Sequence, residues 1–254
     1  MSRGNAKQDR ISTWQIPAYS KETEESKMSN NTITKKNGTF GSKTIATVGM
    51  LCAIAFVAKL ISTLFPVVSG FLSFDLKDVI IVIAGFMMGP LAAIIITIIV
   101  SVIEMITISS TGFIGLIMNV LQSCAFACTA SVIYRRDRSL KGAIIGLISG
   151  VLLMTALMLL WNWLITPLYM HVPRDKVVAM LVPVFLPFNL VKGGINATLA
   201  MLLYKPVVTT LRRAKLVPAS SSGSRSTTKV GIIAVSAVLL ITFVLLALVL
   251  AKVI

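Results

Sequence analysis

From residue 44 onward, long apolar runs alternate with short polar breaks. A hydrocarbon layer about 30 Å thick takes about 20 residues of helix to cross, and that length divides the chain cleanly. Spans are expected at 44–66, from Asp75 to the Gly89–Pro90 break, at 90–108, 113–134 and 143–165, and from about 180 to 204. The second is the short one, because Gly followed by Pro stops a helix. Beyond this core, "VPASSSGSRSTTK" has the composition of a flexible linker, and residues 230–251 are 22 uncharged positions that suit a seventh span. Residues 1–43 are polar, show no apolar periodicity and read as a disordered tail. The expected layout is a polar tail at 1–43, a six-helix membrane domain at 44–215, a linker at 216–229 and an extra transmembrane helix at 230–254.

Composition places the chain in the bilayer: 56% of its 254 residues are hydrophobic and only 13% are charged. A net charge of +15 raises nucleic acid as a partner, but the basic residues sit in the tail (Lys35, Lys36, Lys43) and in "YRRDRSLKG" and "YKPVVTTLRRAKL" between or after spans. That distribution is a topology signal, with those segments and the N-terminus cytoplasmic and the C-terminus outside; no nucleic acid is expected. The first apolar stretch is too long for a signal-peptide core, so it is expected to act as an uncleaved anchor. Cys52, Cys124 and Cys128 lie in apolar runs without a CxxC pair and read as packing residues, with no metal or cofactor implied.

One membrane segment carries chemistry. "PFNLVKGGINATLAMLLY" holds Asn189, Lys192 and Asn196 at spacings of three and four, which a helix places on one face beside Gly193. Entering from outside near residue 183, a rise of 1.5 Å per residue puts Lys192 roughly 13 Å deep, where an uncompensated charge costs about 2.5 to 3.5 kcal/mol. Neighbouring spans repeat the depth: Asn119 and Gln122 on the fourth, Asn162 between Trp161 and Trp163 on the fifth, and Glu104 on the third. Simpler readings stand beside a binding site. Asn196 and Gln122 suit ordinary interhelical hydrogen bonds, the tryptophans suit an interfacial belt, and Lys192 suits an ion pair with Glu104. Asp75 and Asp78 are assigned first to capping the second span. A cavity lined by amides and one ammonium matches a flat heterocycle whose edge alternates carbonyl and N–H groups.

The segments "FLSFDLKDVIIVIAGFMMGPLAAIIITII", "TGFIGLIMN", the "YRR" that ends the fourth span, "WNWLITPLYM" and above all "PFNLVKGGINATLAMLLYK" resemble the substrate-binding S components of energy-coupling factor (ECF) transporters, riboflavin type. The resemblance covers residues 44–215 and implies a six-helix bundle with the vitamin in its outer half. By it, Asn162, Asn189 and Lys192 are ligand residues, with Asn119 added by depth. It also implies a lid, "VVSGFLSF", with Gly70 as hinge. The implied partners are riboflavin, a membrane T protein and two ABC-type ATPases, since this chain has no GxxxxGK[ST] loop of its own. Docking on the T protein would use Ala46, Gly49 and Ala53, although the family's Ala-x-x-x-Ala pattern is not kept and internal packing explains these residues equally well. The seventh span and the long tail depart from the family.

Rivals remain at this level. The ligand could be flavin mononucleotide or another vitamin; a phosphate would look to Arg174 and Lys176 at the outer mouth. A scaffold without a ligand is the rival of another class. An intramembrane enzyme finds little support, with one histidine, His171, in a loop, no HExxH and no GxSxG.

Overall fold

The computed structural model describes residues 41–69, 72–109, 111–213 and 230–251. The assignments to the tail as far as residue 40, to the linker and to Gly70 lie outside them. Eight α-helices are described. They are α1 (Ser42–Ser62), α2 (Lys77–Met88), α3 (Pro90–Thr107), α4 (Gly112–Arg136), α5 (Leu140–Met170), α6 (Arg174–Met180), α7 (Leu186–Arg213) and α8 (Val230–Leu250). A π-helical turn, Leu181–Phe185, joins α6 to α7, so the expected sixth span, 180–204, lies within one longer helical stretch, Arg174–Tyr204.

Among the described residues, six helical stretches are long and apolar enough to cross a membrane: α1, α3, α4, α5, the Arg174–Tyr204 rod and α8. The exception is α2. Its 12 residues reach about 18 Å, little more than half a hydrocarbon core. It begins inside the protein, with Lys77 and Asp78 fully buried at its first turn, and Phe74 and Asp75 of the non-helical chain just before it are buried as well. Irregular backbone is tolerated at such depth only where protein covers it.

Gly89 makes the corner between α2 and α3. Its φ of +97° is open to glycine and strained for other residues, and Pro90 then occupies the first position of α3, where no backbone N–H is needed. At the other end of the bundle Ser139 caps α5 by accepting from the Gly142 N–H at 3.1 Å. Helices α4 and α5 pack closely because Gly146 and Gly150 put bare backbone against the carbonyls of Ala130 and Phe126. Tyr134, Tyr204 and Phe86 join α4, α7 and α2 through ring contacts and a 3.1 Å hydroxyl–hydroxyl bond. The extra helix α8 lies along α7.

Replacing Gly89 by alanine is expected to destabilise the protein by about 1 to 3 kcal/mol through backbone strain. The Cβ itself has room, its nearest neighbour being Arg135 at 3.8 Å. A variant that melts together with the parent in detergent would show that the corner is not strained.

Candidate functional site

The interior contains a set of charges that hydropathy alone does not anticipate. Between residues 44 and 134 the chain has five charged side chains, Lys59, Asp75, Lys77, Asp78 and Glu104, and every one is buried. Lys77 Nζ bridges Asp75 Oδ2 at 2.8 Å and Glu104 Oε2. Lys59 Nζ bridges the same two carboxylates, at 2.8 Å to Glu104 Oε1 and 3.3 Å to Asp75 Oδ2. Asp75 Oδ1 accepts from the Lys77 backbone N–H at 3.1 Å, and the Leu76 N–H donates to Ser62 Oγ at 2.8 Å. The end of α1, the start of α2 and the C-terminal part of α3 are thereby tied at one point.

Asp78 points the other way. It accepts from Ser123 Oγ and from Gln122 Nε2, the latter at 3.3 Å, and Gln122 Oε1 in turn accepts from Lys192 Nζ at 3.2 Å. A polar chain therefore runs from α2 through α4 to α7 and ends on the ammonium of Lys192, which also lies 5.9 Å from the centre of the Phe188 ring. Counting both arms, three acidic side chains meet three lysines, so the formal charges of the cluster sum to zero.

Two local features set the α7 face. Pro187 has no N–H to offer the carbonyl of Pro183, and here the helix widens into the π turn, closed by Leu186 N–H to Leu181 O. Immediately after it, Asn189 Nδ2 donates to Phe185 O at 2.8 Å. On α5, Asn162 Nδ2 donates to Met158 O at 2.7 Å and its oxygen accepts from Thr166 Oγ1 at 2.9 Å. Asn162, Asn189 and Lys192 are all buried, whereas Asn119 is half-buried. Both asparagines are oriented by bonds within their own helices, and among the described residues none of these four side chains bonds another.

Several expectations change. Lys192 does not pair with Glu104, which is held by Lys59 and Lys77. Asp75 and Asp78 are not simple caps: Asp75 meets one α2 backbone N–H while carrying two ion pairs, and Asp78 is turned to α4. Gln122 does join helices, but by linking two charged groups. Asn196 makes no such link among the described residues, where its buried Nδ2 has no hydrogen-bond partner. Beside Gly193 lie Val151 and Met154 of α5. Ala46, Gly49 and Ala53 face outward on α1, and nothing lies within 4 Å of a Cβ at Gly49. Trp163 is exposed beneath Arg174, 5.4 Å from the ring centre, while Trp161 packs on the core. Lys59 and Lys77 were missed because each was counted within an apolar span; matching every intramembrane lysine with an acid would have found them.

A multi-pass helical membrane protein built round a neutral polar cluster, with a buried lysine and amides on facing helices, is the class these features define. The chain belongs to the family of ECF transporter substrate-specific components, whose family model matches residues 43–204. It is 31% identical over 178 residues to the riboflavin transporter RibU of Staphylococcus aureus (strain TCH60), covering 68% of this chain and 94% of that protein. It is 32% identical over 171 residues to the riboflavin transporter FmnP of Bacillus subtilis (strain 168), covering 64% and 90%. A solved structure of the S component of a bacterial ECF transporter superposes with a TM-score of 0.57 at 30% identity, covering 66% of this chain and 97% of that one.

Lys77→Met is expected to destabilise the ligand-free protein by about 3 to 5 kcal/mol, because it leaves two buried carboxylates sharing a single lysine. Thermal unfolding in detergent measures it. An unchanged melting temperature would mean that Lys77 does not carry the network.

Proposed function

We propose that this chain is the riboflavin-binding subunit of an ECF-type uptake transporter in a bacterial cell membrane. The two relatives named as riboflavin transporters support the ligand, and the observation that carries the reading is the buried α7 face with Asn189 and Lys192, with Asn162 buried on α5, a helix packed on α7, and Asn119 half-buried on α4. An isoalloxazine edge alternates carbonyl and N–H groups, which amide side chains complement pairwise, and the Lys192 ammonium suits a ring carbonyl or nitrogen. The residues bind; none is assigned chemistry, and the protein is not an enzyme.

The charge balance bears on ligand choice. Lys192 is already compensated through Gln122 and Asp78, so a neutral vitamin leaves the interior neutral, whereas an added phosphate dianion needs cations of its own. At the outer mouth only Arg174 and Lys176 are available, and Arg174 is seated on Trp163. This favours riboflavin over flavin mononucleotide.

Capture is from outside, with the chain between α1 and α2 as lid and Gly70 as its hinge. The N-terminus is cytoplasmic and the C-terminus outside. Energy comes from partners: the outward face of Ala46, Gly49 and Ala53 suits close packing with a membrane T component, which carries two ABC-type ATPases.

Purified protein is expected to quench riboflavin fluorescence on titration, and absence of quenching would end this reading. Asn189→Ala and Lys192→Ala should each weaken binding by more than about 1.4 kcal/mol, a factor of ten in Kd. Competition should rank riboflavin above flavin mononucleotide by on the order of tenfold; a preference for the phosphate would contradict the charge argument.

A further inference from the structure

The matched family segment ends at residue 204, before α8 begins, and an uncharged, mostly aliphatic helix reads as an anchor. Its packing is more specific than that. Ser236, Leu240, Phe243, Ala247 and Leu250 recur at spacings of four, three, four and three, the seam of one helix lying along another. Ser236 and Ala247 are buried, and Leu240, Phe243 and Leu250 pack on the cluster they face. Val235, Val238, Ile241, Leu245 and Val249 are exposed on the rest of the helix.

The partner of that seam is α7, on the residues that surround the proposed ligand face. Val191 to Asn196 are six consecutive buried residues, more than a full turn, so α7 is covered on every side. Gly193 meets Val151 and Met154 of α5. At the next residue, Gly194, the three atoms nearest to where a Cβ would stand all belong to the ring of Phe243 of α8, at 2.5 to 2.7 Å. The ring is therefore seated on bare backbone. The same apolar cluster contains Phe188, Val191 and Ile195 of α7, Ala247 of α8, and Val68 and Phe74 from the chain between α1 and α2. Phe74 stacks on Phe188 at 5.2 Å, Phe188 lies under Lys192, and Val68 and Leu72 exchange backbone hydrogen bonds of 2.8 and 3.0 Å.

We infer that α8 is a buttress of the binding site. Seated on Gly194, Phe243 holds the α7 face and the base of the α1–α2 connection in one arrangement, and so sets how long the ligand is retained. The inference rests on the proposed function for its ligand but not for its geometry. Phe243 is a positioning residue and need not touch the ligand.

The test uses the full chain in lipid nanodiscs, with two readouts. Riboflavin dissociation is followed by recovery of flavin fluorescence, and opening of the α1–α2 connection by thiol labelling of an added Val68→Cys, compared with the parent that lacks it. Phe243→Ala is expected to speed dissociation about tenfold, most of an affinity change in one interface falling on the off-rate, and to speed labelling at temperatures well below unfolding. Phe243→Leu should fall between, and Val238→Ala, on the exposed face, should match the parent in both. If Phe243→Ala does not fold, Phe243→Leu decides by the same criteria. Parent-like dissociation and labelling in the Phe243 variants would overturn the inference, as would equal effects from Val238→Ala. A fall in melting temperature with labelling unchanged would also overturn it, because that is what a merely structural helix gives. If the parent does not bind riboflavin, the functional reading fails, and the labelling comparison still decides whether α8 is a buttress.

Discussion

A charge in the interior of a membrane protein is held there only if another charge answers it, and this structure is arranged around that constraint. Two lysines and two carboxylates lock α1, α2 and α3 together, while a third carboxylate, Asp78, reaches through Gln122 to the lysine of α7. Neutrality of the whole set allows α2 to begin in the middle of the protein and Lys192 to stand far from water. Removal of any one member leaves its partners uncompensated in a medium of low dielectric constant, which is why such clusters are costly to break and weak as net sources of stability.

The helix that carries Lys192 has its circumference divided among tasks. One side, at Gly193, is closed against α5; another, at Gly194, receives an aromatic ring from α8; a third bears the polar residues. Two adjacent glycines make this possible, because two neighbouring helices approach the same short length of backbone from different directions. The π turn just outside that length adds a residue to one turn and so sets which way the polar side faces.

The succession of apolar runs was enough to mark the helices, since length and hydropathy are dictated by the bilayer and the breaks at Gly89–Pro90 and at the basic loops are local. It was less informative at the ends. Helix α5 continues to Met170, past the expected 165, because Pro167 sits where the helix is finishing and the left-handed His171 closes it. The π turn was invisible, as Pro183 within it and Pro187 just after it read equally well as a helix start. In the candidate site the α7 stripe was legible because three polar residues at helical spacing in an apolar run have few explanations. The partners of that stripe were not. Spacing relates residues on one helix, whereas the links from Asp78 to Gln122, spaced 44 apart, and from Gln122 to Lys192, spaced 70 apart, depend on how helices are placed beside each other. Asp78 looked like a cap because a cap is the local use of an aspartate at a helix start.

The order in which the charges occur along the chain bears on how the molecule is built. Through the end of α4 the polypeptide has contributed Asp75, Asp78 and Glu104 but only Lys59 and Lys77 to the cluster, so the half-made assembly carries one surplus negative charge. Lys192 lies on α7, beyond the long α5 and the short α6, and cancels it. The ammonium that looked least suited to lipid is therefore the group that brings the formal charge of the cluster to zero.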